Sequence, residues 1–310
     1  MQSALAPAGT GAEAIAQVFW VMVAGALLVW VLVVAGALWA GARRRARPDA
    51  ATARRRARWL VVGGGMVAPT LLLGALLVYG LMLMPRLRVP PPADGLTVHV
   101  TGEQWWWRVR YPAAEGAIEL ANEIHVPVGE RVRFLLDSPD VIHAFWVPSL
   151  GGKVDMIPGR TTTLVLEPTR AGTYTGICAE FCGASHAFMR FAVVAEPRAD
   201  FEAWLARQAR PAAAPADALA RRGRDAFLRH GCGACHAVRG TPARGRLGPD
   251  LTHVGSRRTL AAGVLRNDVD GFRRWIEHTH DVKPEAVMPG FGMLPEAEVR
   301  AIATWLEGLQ

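Results

Sequence analysis

Two pairs of cysteines carry the chemistry open to this sequence. The first sits in C-A-E-F-C-G-A-S-H-A-F-M, where Cys178, Cys182, His186 and Met189 place two thiols, an imidazole and a thioether within twelve residues. Thiolate and thioether sulfur are soft donors that suit copper, and imidazole serves many metals. Zinc would accept the cysteines and the histidine, but methionine is a poor zinc ligand. A mononuclear blue-copper site uses a single cysteine. Two thiolates at this spacing can instead bridge two metal ions, leaving one histidine and one weak ligand for the ends. A second histidine is then required. His143, in the apolar and strand-like D-V-I-H-A-F-W-V-P, is the best candidate. A disulfide is the plain alternative in an oxidising compartment. Met189 could be a core filler. The company of Cys178, Cys182 and His186 argues against both.

The second pair sits in C-G-A-C-H, residues 232–236. Cys-x-x-Cys-His is the attachment signature of a c-type haem: Cys232 and Cys235 make thioether bonds, and His236 becomes an axial ligand. A thioredoxin-like redox pair would need a βαβ context, whereas this segment reads as helical. Electron-transfer haems favour His/Met ligation. Met288, about fifty residues on and ahead of the last helix, is the expected partner. Met293 is its rival, and His253, His278 and His280 are weaker alternatives. Filled coordination at both centres leaves no open position for a substrate, so the chain should move electrons and break no bonds itself.

The elements that must position these residues follow from periodicity and composition. Residues 14–42 and 59–84 are nearly free of charge. Each is long enough to span a bilayer, for which about 20 apolar residues suffice, with spans at about 18–40 and 59–84. Trp20, Trp39, Trp59 and Tyr79 lie near their ends, as interfacial aromatics do. A proline-rich connector runs to residue 95 and completes a first region, 1–95. Residues 96–209 read as a β domain, with strands such as 96–101, 105–111, 119–126, 131–136, 161–166 and 190–194, then one helix at 200–209. Short, evenly spaced strands indicate a sandwich or barrel. Residues 210–217 (R-P-A-A-A-P-A-D) form a linker. Residues 218–310 show helical spacing at 218–230, 270–280 and 296–308 and make a small all-α domain.

The net charge of +8 and pI of about 10.1 would suit nucleic acid, yet eight arginines (Arg43, Arg44, Arg45, Arg47, Arg54, Arg55, Arg56, Arg58) facing only Asp49 between the two spans account for +7 of it. That is the positive-inside signal. It places the loop in the cytoplasm and both termini on the outer side. No basic patch interleaved with aromatics remains to bind nucleic acid. Residues 1–13 lack Lys and Arg and make no signal-peptide n-region. Either the first span is itself the export signal or a leader precedes this sequence.

The region up to about residue 207 resembles subunit II of the haem–copper cytochrome c oxidases. The likeness rests on both spans, G-E-Q-W-W-W at 102–107, S-P-D-V-I-H-A-F-W-V-P at 138–148, K-V-D-M-I-P-G-R at 153–160 and the cysteine loop. It implies a cupredoxin-like Greek-key domain holding a dinuclear CuA centre on His143, Cys178, Cys182, His186, Met189 and the carbonyl of Glu180. It further implies that the Glu180 side chain binds magnesium shared with the catalytic subunit. Trp105 would receive electrons from a docked cytochrome c, and Asp140 and Asp155 would match acids facing the catalytic subunit. The sequence departs from many relatives at Val62, where a carboxylate opening a proton path would stand. With a class I cytochrome c at the C-terminus, the resemblance implies a terminal oxidase subunit of a bacterial inner membrane, both redox domains periplasmic. Electrons would pass from cytochrome c or another periplasmic donor to haem c, to CuA and to subunit I, which reduces oxygen to water coupled to proton translocation. Subunit III would be a further partner. A CuA-containing subunit of a nitric oxide reductase is the alternative.

Overall fold

The computed structural model describes residues 3–42, 49–87, 90–113 and 116–310. It divides into two units, one holding the residues up to Ala12 with those from Pro90 onward, the other Glu13–Val89.

The second unit carries two long apolar helices. Helix α1 is Thr10–Ala42, about 50 Å at 1.5 Å per residue and longer than a hydrocarbon core of about 30 Å. The other runs continuously from α2 (Ala50–Arg58) through a wide-turned stretch, Trp59–Val67, into α3 (Ala68–Leu87). None of the most apolar window of α1, and only 6% of that of the second helix, is buried in protein. A soluble core helix would be covered, so these surfaces suit lipid. The second helix starts earlier than the apolar run, because Asp49 caps it by accepting the N–H groups of Ala51 and Thr52, each at 3.0 Å. Arg54, Arg55, Arg56 and Arg58 are therefore helical, where the sequence suggested a loop. Arg43, Arg44, Arg45 and Arg47 lie outside the described residues. The wide turn contains Gly63, Gly64 and Gly65, whose lack of side chains permits local rewinding.

In the first unit, ten strands form two five-stranded sheets: β1 (Thr97–Glu103), β2 (Trp106–Ala113), β3 (Gly116–Ala121), β4 (Glu123–Pro127), β5 (Val132–Asp137), β6 (His143–Trp146), β7 (Val154–Met156), β8 (Thr162–Leu166), β9 (Gly172–Cys178) and β10 (Arg190–Glu196). Their orders are β3-β2-β1-β5-β8 and β4-β10-β9-β6-β7. Pairings are antiparallel except β1 with β5 and β4 with β10. The single strand expected at 119–126 is two strands, one in each sheet. Asn122 turns between them at φ 62°, its side chain accepting the N–H of Trp107 at 2.9 Å. Alternating inward residues fill the sandwich, with Trp107, Phe145 and Phe191 at ring separations of 4.6–5.8 Å. Gly176 is required there, since a Cβ would lie 2.1 Å from the Phe191 ring.

Residues 8–12 strap the sandwich: Ala8, Thr10 and Ala12 donate backbone N–H bonds to Ser149, Glu167 and Leu150. Helix α4 (Arg198–Gln208) closes the sheet by stacking Trp204 on His125 at 3.9 Å. Beyond the 210–217 stretch, Asp217 caps α5 (Ala218–Arg229). Helices α6 (Val269–Glu277), α7 (Thr279–Val282) and α8 (Glu296–Glu307) follow; His278 leaves helical geometry between α6 and α7, so the helix expected over 270–280 is broken in two. A second core forms where α5 crosses α8. Gly223 lets them touch, its absent Cβ falling 2.0 Å from the Ala301 carbonyl, and Phe227 meets Trp305 edge-on at 5.1 Å.

Candidate metal centre and haem site

Cys178 ends β9, Cys182 and His186 follow in the loop, and Met189 precedes β10, so a single β9–β10 connection presents four donors. His143 begins β6, whose pairing with β9 sets Phe145 opposite Cys178. The fold thereby brings a residue 35 positions upstream to the loop. The two sulfurs stand 3.8 Å apart, beyond the roughly 2.05 Å of a disulfide. His143 Nδ1 lies 3.8 Å from Cys178 Sγ and the Glu180 carbonyl 3.1 Å from it. His186 Nδ1 lies 3.5 Å and Met189 Sδ 3.8 Å from Cys182 Sγ. The donors thus gather around the sulfur pair, with His143 and the Glu180 carbonyl next to Cys178 and with His186 and Met189 next to Cys182. His143 is fully buried, and Cys178, Cys182 and Met189 nearly so.

The ionisation of the pair favours cations. The Cys182 thiol, with help from His143 and the Ala144 backbone, outweighs the opposing cost of burial and pulls Cys178 down to about 3. Cys182 moves the other way, raised by neighbouring Cys178 and by burial. Two sulfurs this close hold one proton between them; positive charge set between them lets both become thiolates. This soft donor set fits copper ions.

The surroundings fix the ligands. Asp140 Oδ1 meets His143 Nε2 at 2.9 Å, the second-sphere carboxylate that orients a metal-binding imidazole. Its other oxygen accepts the Gln104 N–H at 2.7 Å. Burial disfavours the Asp140 charge, yet the bonds from Gln104, His143 and Val141 hold the carboxyl below its ordinary range. Sequence reasoning took Asp140 only as an outward-facing acid; its position three residues before His143 was the available signal. The tryptophans serve the same loop. The Trp105 indole and the Gln104 amide donate to the Cys182 carbonyl at 3.0 and 2.8 Å, and the Trp107 indole donates to the Met189 carbonyl at 3.4 Å. Asp155 is exposed and paired with Lys153 at 2.9 Å. The Glu180 side chain is exposed and stands outside the one cluster of metal-ligating side chains among the described residues, His143, Cys178 and Cys182.

In the α-helical part, Cys232–Ala234 makes a tight turn after α5, with the Cys235 and His236 N–H groups bonded to the Cys232 carbonyl. The His236 Nδ1–H donates to the Pro249 carbonyl at 2.9 Å, which leaves Nε2 for an iron. Burial lowers the His236 pKa and keeps the ring neutral, as a ligand must be. Gly248 leaves room for the ring, since a Cβ there would lie 2.4 Å from Cε1. Cys232, Leu265, Met288, Phe291 and Leu294 are half-covered apolar residues against the second core, a surface a porphyrin would complete. Met293 is 77% exposed and belongs to no core. His253 and His280 bond the carbonyls of Arg210 and Ala286, each at 2.9 Å; His278 faces Asp281 at 3.5 Å.

The family profile "Cytochrome C oxidase subunit II, periplasmic domain" matches residues 112–196, and the "Cytochrome c" profile matches residues 220–310. The chain joins a cytochrome c oxidase subunit II periplasmic domain to a cytochrome c domain. The first is a cupredoxin-type sandwich implying a CuA copper site at the His143, Cys178 and Cys182 cluster. The second implies haem c. Over 224 residues, 71% of this chain, it is 38% identical to "Cytochrome c oxidase subunit 2" of Alkalihalophilus pseudofirmus, covering 64% of that protein. It is 33% identical over 227 residues, 70% of the chain, to the Bacillus subtilis protein of the same name, covering 63% of it. The chain thus spans just under two thirds of the length of these curated relatives. Among solved structures, the periplasmic domain of subunit II of Bradyrhizobium japonicum cytochrome oxidase is 35% identical, with 39% of this chain matching 96% of that one at a TM-score of 0.36.

Proposed function

We propose that this chain is the electron-relay subunit II of a haem–copper terminal oxidase, carrying electrons from a periplasmic donor through its own haem domain and copper centre to a catalytic subunit that reduces oxygen to water with proton translocation. The observation that carries the reading is the sulfur pair Cys178/Cys182 with a histidine on each side, in one compact unit with a Cys-x-x-Cys-His domain. His143, Cys178, Glu180 through its carbonyl, Cys182, His186 and Met189 hold the copper ions. Cys232, Cys235, His236 and Met288 hold the haem. When bound, each group supplies reversible one-electron transfer. The protein's part is to keep those groups still and dry: the buried donors exclude water, and Asp140, Trp105 and Trp107 anchor the ligands against rearrangement.

The two apolar helices anchor the chain in a bacterial inner membrane. The arginine cluster between them holds that end of the hairpin in the cytoplasm. Subunits I and III complete the assembly. The exposed Glu180 carboxylate would bind magnesium jointly with ligands from subunit I.

Metal and haem analysis with EPR tests the reading. The purified chain is expected to hold two copper ions with a mixed-valence signal and one covalent haem. Zinc in the cysteine pair, or a Cys178–Cys182 disulfide, would overturn it. Oxygen uptake by the co-purified catalytic subunit is the expected activity; nitric oxide uptake in its place would assign the relay to a nitric oxide reductase.

A further inference from the structure

Trp105 lies in the turn between β1 and β2, where an electron-accepting ring should be open to a donor, yet it is only 5% exposed. Segments of the C-terminal domain lie against this face. The Lys283 Nζ donates to the Trp105 carbonyl and, at 3.4 Å, to the Ala261 carbonyl. Lys283 is itself 4% exposed, and a buried lysine is uncommon unless its donors are satisfied. One residue on, the Pro284 carbonyl accepts the Ser185 hydroxyl at 2.6 Å. Ser185 is fully buried and immediately precedes His186. The Ala262 carbonyl accepts the Arg190 N–H at 3.1 Å, next to Met189, and Arg108 reaches the Arg246 carbonyl at 2.9 Å.

Two of these contacts, those of Lys283 and Pro284, fall on one short piece of chain. Lys283 and Pro284 open the segment that ends at Met288, closed on itself by the Ala286 N–H to Lys283 carbonyl bond at 3.2 Å. The same segment is tied to α7 through the Lys283 N–H to Thr279 bond at 2.9 Å. The haem-side methionine loop and the copper-ligand loop are therefore hydrogen-bonded to each other, without an intervening layer.

We propose that Lys283 and Ser185 are the two points of an internal latch that clamps the Met288 loop onto the copper-ligand loop and closes the Trp105 face to outside donors. The inference rests on the electron-relay reading given above. Electrons from an external protein then arrive only at the haem domain. The route to copper runs from the Met288 loop through the Pro284 carbonyl and Ser185 hydroxyl to His186, in contact at every step. A tunnelling electron loses much more across an open gap than along bonds and hydrogen bonds, so the latch sets the rate of the internal step as well as the occupancy of the face.

The test uses the full chain carrying both cofactors, with Lys283→Met, which keeps the bulk of the stem, and Ser185→Ala. Hydrogen exchange is read at residues 104–106 and 283–286. Loss of one such bond corresponds to about fivefold in the opening equilibrium, and about 25-fold for both if they act independently. Haem-to-copper transfer after rapid photoreduction of the haem should slow in both variants. Reduced soluble cytochrome c should reduce wild-type copper only after the haem, with a direct copper phase appearing in the variants. Unchanged exchange at both segments overturns the latch, as does direct copper reduction in the wild type. Faster exchange with unchanged internal transfer overturns its part in the electron route. The exchange arm reads the latch whichever metals are bound, so failure of the copper or haem assignment is recognised separately by metal and haem analysis.

Discussion

The carboxylate of Asp140 should be worth more to the copper centre than its half-exposed position suggests. With His143 bound to metal through Nδ1, its Nε2 carries a proton that needs an acceptor, and the fully buried ring has no water to turn to. Asp140 supplies one oxygen to Nε2 at 2.9 Å and to the Val141 N–H at 2.6 Å, and the other to the Gln104 N–H at 2.7 Å. Asp140→Asn keeps the shape but has one acceptor oxygen, so an NH2 must face either Gln104 or His143. Asp140→Ala removes the acceptor from both, and for the fully buried His143 ring an unpaired N–H costs about 1–3 kcal/mol. Loss of such a second-sphere partner lowers metal affinity about 10- to 100-fold. The asparagine variant should sit near the lower end and alanine near the upper. The assay is competition for Cu(I) with a chromophoric chelator, together with the EPR hyperfine pattern of the loaded chain, on the isolated protein. The isolated chain matters, because an acid that only faces the catalytic subunit would show nothing there. Wild-type copper affinity and an unaltered EPR signal in Asp140→Ala would refute the reasoning.

Gly248→Ala should drive a methyl into the His236 ring, whose Cε1 lies 2.4 Å from the added Cβ. Overpacking of about 1–3 kcal/mol then falls on the axial bond, and the reduced haem should lose its low-spin visible spectrum. Met288→Ala should lower the haem potential, since thioether ligation raises it, while Met293→Ala, at a 77% exposed side chain, should leave a potentiometric titration unchanged. Burial pushes Lys283 down to about 7, against a smaller opposing pull from Cys182, whereas the undocked lysine titrates near about 10.4. Between these values the undocked state binds more protons, so docking of the two domains strengthens as pH rises from about 7 toward about 10, by at most about tenfold per pH unit. Interdomain distances from pulsed EPR at pH 7 and 9 should show this in the wild type and not in Lys283→Met.

Much of the architecture was legible because its signals are local. The apolar runs, the shift from strand-like to helical spacing after residue 209 and the Pro/Ala stretch at 210–217 each follow from neighbouring residues. Where local reading failed, a long-range partner decided. The run 119–126 looks like one strand, but Asn122 is held by Trp107 and the chain changes sheets there. The apolar run from residue 59 hid the earlier start of its helix, because the cap at Asp49 lies among arginines. The candidate donors stand out for the same local reason: Cys178, Cys182, His186 and Met189 lie within one loop, and Cys232, Cys235 and His236 within one turn.

By itself the sequence determined which residues offer donors suited to metal or haem, and that two apolar runs are long enough to cross a bilayer, since donor chemistry and hydrophobic length are properties of residue types and their spacing. Tertiary structure decided what those residues face. Only the pairing of β6 with β9 brings His143 to the cysteines, only the turn at Gln104 and Trp105 places their donors on the Cys182 carbonyl, and only the docking of two cores sets Lys283 on the Trp105 carbonyl. These contacts join residues from 35 to 178 positions apart, and no pattern confined to neighbouring residues encodes a separation of that kind.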